Sequence, residues 1–218
     1  MSNFNIAIDG TSGVGKSTIA DILAKKYNMT HLDTGAMYRC VGLYLHNCQI
    51  DLDNESEVQA HLDEIHIGFQ NKKVFLNDEE VTHEIRTNDV SKYASKVSTY
   101  GCVRTKMVAL QQETVKDGGY IVDGRDICTV VLPDAKVKIF MSATCEARAK
   151  RRYLEYVEKN IECDYQQIYD DIAARDYQDS HRAISPLVKA KDAIEVDTSN
   201  LNVEEVVEVI SKIIEEKK

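Results

Sequence analysis

Residues 6–27 read IAIDGTSGVGKSTIADILAKKY. Gly10, Gly15, Lys16 and Ser17 fit the pattern G-x-x-x-x-G-K-[ST]. The run FNIAI (residues 4–8) is short, apolar and β-branched, as a buried strand requires. On the other side, Ile19, Ile22, Leu23 and Tyr27 recur at helical spacing, and Ala20 and Ala24 favour helix. Strand, glycine-rich loop and helix in that order form a device for holding phosphate. The glycines let backbone N–H groups curl around anionic oxygens. The helix N-terminus adds the positive end of its dipole. Lys16 can reach the β- and γ-phosphates, and the Ser17 hydroxyl can ligate Mg²⁺. A glycine-rich turn before a helix is the plainer reading, which the matched flanks disfavour.

Working outward, strand patterns alternate with helical ones. MTHLDTG (29–35) reads as a strand ending in a turn, and MYRCVGLYLHN (37–47) and EVQAHLDEI (57–65) as helices. From Ile65 the period changes to two. The turn signals NKK and NDEE split this stretch into three short strands, a small meander. A long helical stretch is predicted from about Asn88 to Lys116. YIVD (120–123), VKIFM (137–141) and AIEVD (193–197) are strands, ARAKRRYLEYVEKN (147–160) is helical, and VEEVVEVISKIIEE closes the chain as an amphipathic helix. Asp164 and Gln167 resemble a capping box opening a further helix that ends near DYQD. The alternation predicts an α/β fold with a doubly wound parallel sheet, the meander being an insert between its second and third strands. Ligands gather at the C-terminal strand edge of such sheets.

The 218 residues are 43% apolar and 29% charged, ordinary for a soluble globular protein. No apolar run is long enough to span a membrane and no signal-peptide pattern precedes the first strand, so a cytoplasmic protein is expected. Six scattered cysteines without a C-x-x-C read as reduced thiols. The six histidines show no metal spacing and read as ordinary surface or half-buried residues. A net charge of −9 argues against a general nucleic-acid or anionic-membrane binder, and weakly favours a monomer.

Such an acidic protein must concentrate positive charge to bind phosphates. Its nine arginines are Arg39, Arg86, Arg104, Arg125, Arg148, Arg151, Arg152, Arg175 and Arg182, and the chain beyond Arg182 uses only lysine. Arginine's planar fork grips phosphate bidentately. In DGRDICTVV, Asp123 ends a strand and can hold Mg²⁺ directly or through water, or cap a turn with Gly124. Arg125 and Asp126 follow at once. Arg148, Arg151 and Arg152 share one helix face, where their mutual repulsion makes sense if an anion arrives, or if Glu146 and Glu155 neutralise them. Arg175, Asp179 and Arg182 span two helical turns and suit either a phosphorylated, hydroxylated ligand or an intrahelical ion-pair ladder.

With these residues laid out, the chain resembles the cytidylate kinases, nucleoside monophosphate kinases of the bacterial type. The similarity runs nearly end to end through IDGTSGVGKST, LDTGAMYR, EIRTNDV, ASKV with CVR, VDGRDICTVVLPDA, KIFMSA, RAKRRY, ARDYQDSHRAISPL and VDTS. DTGAMYR and DGRD-x-x-TVV-x-PDA are far more specific than the phosphate loop alone. The resemblance implies a P-loop core of about five strands with helices on both faces (about 1–36, 105–147 and 180–218). It also implies a monophosphate-binding region carrying the β insert (about 37–104) and a helical lid (about 148–179). It places ATP on Gly10, Thr11, Ser12, Gly13, Val14, Gly15, Lys16, Ser17 and Thr18, with Arg148, Arg151 and Arg152 closing on its phosphates. CMP or dCMP is the implied acceptor. Ser95, Arg104 and Asp126 match base-reading positions. Arg39, Arg125 and Arg182, with Thr34 and Ser12, match positions around the acceptor phosphate, and Arg175 and Asp179 positions near the sugar. Thr11 replaces a common proline and Cys128 a common glycine, which puts the backbone around Asp126 in question. D-x-x-G and [NT]-K-x-D, signatures of guanine-nucleotide switches, are absent, so a switch is disfavoured. A UMP/CMP or adenylate kinase is the nearer rival.

Overall fold

Ile6, Ala7 and Ile8 have no exposed surface, because β1 (Ile6–Gly10) is the central strand of the main sheet. The computed structural model describes residues 4–70 and 72–217. They form two compact units, one up to Leu32 and again from Val115, the other Asp33–Thr114.

In the first unit β1 leads through the glycine-rich loop into α1 (Lys16–Tyr27) and then β2 (Thr30–Asp33). β6 (Tyr120–Gly124), β7 (Val137–Ser142), α6 (Cys145–Glu158), α7 (Tyr165–His181), β8 (Ile194–Asp197) and α8 (Val203–Lys217) follow the second unit. The five strands run in the order β2-β6-β1-β7-β8, and β1 pairs in parallel with both β6 and β7. The chain therefore leaves β1 first toward one side and later toward the other. A sheet that reverses in this way leaves a crevice beyond the C-terminal end of its middle strand. The register fixes what lies there: Asp9 is opposite Gly124, and Gly10 is opposite Met141.

The core explains why these runs become strands and helices. Ile6, Ile8, Ile121, Val137, Ile139 and Met141 of the sheet pack with Ile19 and Leu23 of α1 and with Val206, Ile210 and Ile214 of α8. The spacing of the α8 residues places them on one helical face. Each fully buried aliphatic side chain of this set contributes about 1.5–3 kcal/mol relative to exposure. α6 and α7 share a smaller core of Ala149, Ile168 and Ile172. As expected, Asp164 caps α7, accepting from Gln167 N at 2.8 Å. The Gln167 side chain, however, donates forward to Asp171 at 2.9 Å, so half of the capping box forms.

The second unit contains α2 (Thr34–Asn47), α3 (Glu55–His61), β3 (Ile67–Gln70), β4 (Lys73–Leu76), β5 (Glu79–Glu80), α4 (Asn88–Val97) and α5 (Gly101–Val115). The expected meander is present as an antiparallel sheet in the order β3-β4-β5. Asn77 and Asp78, in the second of its turns, both adopt left-handed backbone, as a tight hairpin requires. Asn71, in the first turn, lies outside the described residues. Two readings need correction. DTG is no mere turn, because Asp33 caps α2 by accepting from Ala36 N at 2.9 Å, so the helix starts at Thr34. The helical stretch expected from about Asn88 to Lys116 is present but broken into two helices. Ser98 Oγ donates to Ser95 O at 2.9 Å and Thr99 Oγ1 to Lys96 O at 2.7 Å, ending α4 before α5 begins at Gly101. Among the described residues no helix is long and apolar enough to cross a membrane.

Candidate active site

The glycine-rich loop owes its shape to close approach and to left-handed backbone. A Cβ on Gly10 would lie 2.1 Å from the Met141 carbonyl oxygen, so β1 can lie this near β7 only with glycine here. Gly15 caps α1 with φ 94° and offers no side chain to the first helical N–H groups. Those donors, with no acidic residue in the first turn, are left to an anion. Thr11 Oγ1 is buried with no hydrogen-bond partner among the described residues. Lys16 is 6% exposed, and its ammonium donates to the carbonyls of Gly10 at 2.8 Å and Thr11 at 2.9 Å. Burial, and then the positive charge of Arg125, push its pKa down to about 7 against the pull of Asp123, Asp9 and Asp179. Among the described residues Lys16 thus has two carbonyls, and no carboxylate, within ion-pair distance.

Ser17, in the first turn of α1, donates through Oγ to Asp123 Oδ2 at 3.0 Å. A hydroxyl and a carboxylate from the loop helix and the neighbouring strand therefore converge beside the loop. Hard oxygen donors of this kind fit Mg²⁺, which takes one or two protein oxygens and keeps waters and phosphate oxygens for the rest. The other carboxylate oxygen, Oδ1, lies 2.7 Å from His31 Nε2, and His31 Nδ1 lies 2.9 Å from Asp21 Oδ1. His31 is thus no ordinary half-buried histidine, and nothing in its sequence spacing signals this.

The loop after β6 is held from below. Asp9, fully buried at the end of β1, accepts the N–H groups of Ile127 and Cys128, each at 2.8 Å. The backbone then makes one wide π-helical turn, Ile127–Val131. Burial raises the Asp9 pKa to about 6 despite those two donors. A charged residue ending the apolar strand IAID was the available signal for this role, and it was missed. Cys128 is buried, its backbone lies outside the left-handed region, and its Sγ approaches the carbonyls of Ala7 and Ile139 at 3.7 Å. It therefore adds no strain to the loop. Asp126 is 4% exposed.

Arg125 Nε donates to Asp179 Oδ2 at 2.8 Å, while Arg182 Nη1 lies 3.9 Å from Asp179 Oδ1 and Arg182 Nε donates to Ser185 O at 2.7 Å. Burial opposes the Asp179 charge, but Arg125, Arg175 and Arg182 outweigh it and hold the carboxyl below its usual range. Burial likewise opposes the Arg125 charge, and Asp179 outweighs it. Arg175 and Arg182 thus lie within electrostatic reach of Asp179, and the ion pair of Asp179 with Arg125 joins α7 to the loop after β6.

The three arginines of α6 diverge. Arg148, 3% exposed, donates through Nη1 to Ser12 O at 2.9 Å and pairs through Nη2 with Asp176 at 2.6 Å. Asp176 in turn accepts from Ser12 N at 3.3 Å, a contact not anticipated from the sequence. Arg151 turns toward the loop at 198–201, where it donates to Thr198 Oγ1 at 3.3 Å and to the Thr198 carbonyl. Arg152 donates to Tyr156 Oη at 2.9 Å.

In the second unit, Thr34 is buried at the start of α2. Arg39 donates to Ile85 O at 2.8 Å. Arg104, 3% exposed on α5, donates to Ser98 O at 3.1 Å, with its guanidinium 5.4 Å from the centre of the Tyr38 ring. Ser95 is half-buried on α4.

Comparison with known proteins agrees with this geometry. The family model described as cytidylate kinase matches residues 6–216. A cytidylate kinase of Thermosipho melanesiensis is 49% identical over 212 residues, covering 97% of each chain. One from Fusobacterium nucleatum is 47% identical over 218 residues and the full length of both chains. One from Caldicellulosiruptor saccharolyticus is 48% identical over 98% of this chain and 96% of its own. A family match over residues 6–216, with relatives at 47–49% identity over nearly the whole chain, means that the chain belongs to the cytidylate kinase family.

Proposed function

We propose that the protein transfers the γ-phosphoryl group of ATP to CMP or dCMP, giving ADP and CDP or dCDP, within pyrimidine nucleotide metabolism. One observation carries the reading. Lys16, the Ser17–Asp123 pair and Arg125 lie at the C-terminal ends of β1 and β6, where ligands of such sheets bind, and Asp179 of α7 with the Arg182 that caps it joins them through Arg125. Its acidity and reduced cysteines support a cytoplasmic monomer.

In this reading a phosphate oxygen of CMP forms the new bond to the γ-phosphorus of ATP as the bond to the ADP oxygen breaks. The acceptor is already an anion at neutral pH, so no general base is required, and the work is alignment and charge neutralisation. Gly10 to Thr18 wrap the donor phosphates. Lys16 exchanges two carbonyl partners for a phosphate, which restores its full charge. Ser17 and Asp123 would hold Mg²⁺, directly or through water, and the ion would supply further charge neutralisation on the phosphate oxygens. Arg148 and Arg152 act on the transferring group, and Arg151 supports the donor site. Arg39, Arg125 and Arg182, with Thr34 and Ser12, take the acceptor phosphate. Arg175 and Asp179 take the sugar, and Ser95, Arg104 and Asp126 the cytosine. A base that leaves the buried Arg104 or Asp126 unpaired is rejected at a cost that a purely apolar pocket does not impose.

The test is ADP release from MgATP with CMP, dCMP, UMP, AMP and GMP in separate reactions. Strong turnover with CMP and dCMP alone is expected. Turnover led by another monophosphate would keep the kinase and overturn the base assignment.

A further inference from the structure

Four side chains on three elements of one unit close a ring. Ser17 and Asp21 are one turn apart on the same face of α1. Ser17 bonds Asp123 of β6 at 3.0 Å, Asp123 bonds His31 of β2 at 2.7 Å, and His31 bonds Asp21 at 2.9 Å, returning to α1. The His31 and Asp123 side chains are 11% and 5% exposed, while Asp21 is 45% exposed. The ring is therefore anchored at a dry end and open to water at the other.

We propose that His31, itself held by Asp21, is a positioning residue that fixes the Asp123 carboxylate so that a single oxygen, Oδ2, is presented with Ser17 Oγ to the divalent cation. A carboxylate alone can rotate and can chelate through both oxygens. Here Oδ1 is engaged by an imidazole whose ring plane is set from its far side by Asp21, so neither rotation nor chelation is open. Mg²⁺ demands near-ideal octahedral geometry and keeps most of its waters. A carboxylate locked to one oxygen suits that demand better than a free one. Partners of metal ligands commonly act in this way, and their loss typically costs about 10–100-fold in metal affinity or activity. The inference rests on the proposed role of Asp123 and Ser17 toward Mg²⁺ and extends it to two residues that touch neither nucleotide nor metal.

The experiment measures Mn²⁺ binding by electron paramagnetic resonance to the enzyme complexed with AMP-PNP. The Mg²⁺ dependence of turnover is followed in parallel, and thermal melting without metal monitors the fold. His31→Ala is expected to weaken Mn²⁺ binding about 10-fold or more and to raise the Mg²⁺ needed for half-maximal rate. The KM for CMP should stay within about 2-fold, since His31 has no role in acceptor binding. His31→Gln, which keeps an amide N–H to offer Asp123, should recover most of the loss, and Asp21→Ala should reproduce part of it. Should His31→Ala fail to fold, Asp21→Ala decides alone, because its side chain is partly in water. Unchanged Mn²⁺ affinity in the folded variants, while Asp123→Asn weakens it, would overturn the positioning role and leave the metal reading intact. Unchanged affinity in Asp123→Asn itself would overturn both.

Discussion

Arg148 and Asp176 form a 2.6 Å ion pair that clasps both backbone groups of Ser12: the arginine donates to its carbonyl and the carboxylate accepts its N–H. Two helices distant in sequence from the phosphate loop thereby set the loop's conformation before any nucleotide arrives. Arg148 is almost wholly buried, so removing its partner leaves a desolvated charge. Asp176→Ala should therefore destabilise the protein by roughly 2–3 kcal/mol, less than a fully buried pair because Asp176 is 22% exposed. The KM for ATP should rise several-fold with the KM for CMP little changed. Urea unfolding and steady-state kinetics check both. An unchanged urea midpoint would mean that Arg148 is adequately held by its backbone acceptors alone.

Lys16 illustrates the opposite trade. A lysine whose folded pKa is depressed to about 7 binds fewer protons folded than unfolded between that pH and its ordinary value of 10.5. The folded state is thus disfavoured at and below neutral pH, and the penalty fades as pH rises through that window. Lys16→Met, which keeps the stem and drops the charge, should melt at or above the wild-type temperature at pH 7. Its kcat should fall by about 100-fold or more, since a charge aimed at the transferring phosphoryl group is lost. A folded variant with near-normal kcat would remove Lys16 from the mechanism.

Asp9 gives a pH dependence with a defined sign. Its carboxyl titrates near 6 when folded and near 3.8 when unfolded, burial being the main cause. The stabilisation it contributes is complete below pH 3.8 and is lost as pH rises through 6, a change of about 3 kcal/mol. Asp9→Asn cannot titrate, and its amide can accept only one of the two N–H bonds made by Asp9. Relative to wild type, the variant's stability should therefore gain with pH between about 4 and 6.5, while starting lower. Urea titrations across that range measure the difference. Parallel curves would place the Asp9 pKa in its ordinary range.

The β1–loop–α1 unit was legible because every requirement is local: apolar strand, glycines at fixed offsets, helical spacing after Lys16. The meander was legible because a period of two, broken by turn residues, depends on nearest neighbours. Features set by distant partners were not legible. The π-helical turn at Ile127–Val131 exists because Asp9, 118 residues earlier, takes two of its N–H groups. The break between α4 and α5 was hidden because apolar periodicity runs through it, while hydroxyls of Ser98 and Thr99 compete for the backbone. His31 was passed over because its two carboxylates come from α1 and β6, and no spacing within THLD encodes them. Sequence alone does not separate Arg148, bonded to the phosphate loop, from Arg151, bonded to the loop at 198–201, since both sit on one helix at i and i+3.

Asp179 lies between cations that have different tasks in the proposed reaction. Arg125 bonds it directly at 2.8 Å, whereas Arg182 stands 3.9 Å away and spends its Nε on the Ser185 carbonyl. One carboxylate cannot neutralise Arg125, Arg175 and Arg182 together, and all three lower its pKa. Three guanidiniums gathered around one carboxylate are the kind of donors that a phosphate dianion accepts from. Arg182, with the longer and weaker contact, has the least to lose by engaging a ligand. Arg182→Ala should therefore cost about 10³-fold in kcat/KM for CMP, the low end of the roughly 10³–10⁵ that a well-placed arginine contributes to phosphoryl transfer. The KM for ATP should stay within about 2-fold, and stability should fall only modestly because the closer Arg125–Asp179 pair survives. Kinetics with each substrate varied separately, together with a melting curve, distinguish the roles. A large loss of stability with unchanged kinetics would make Arg182 a rung of an ion-pair ladder and nothing more.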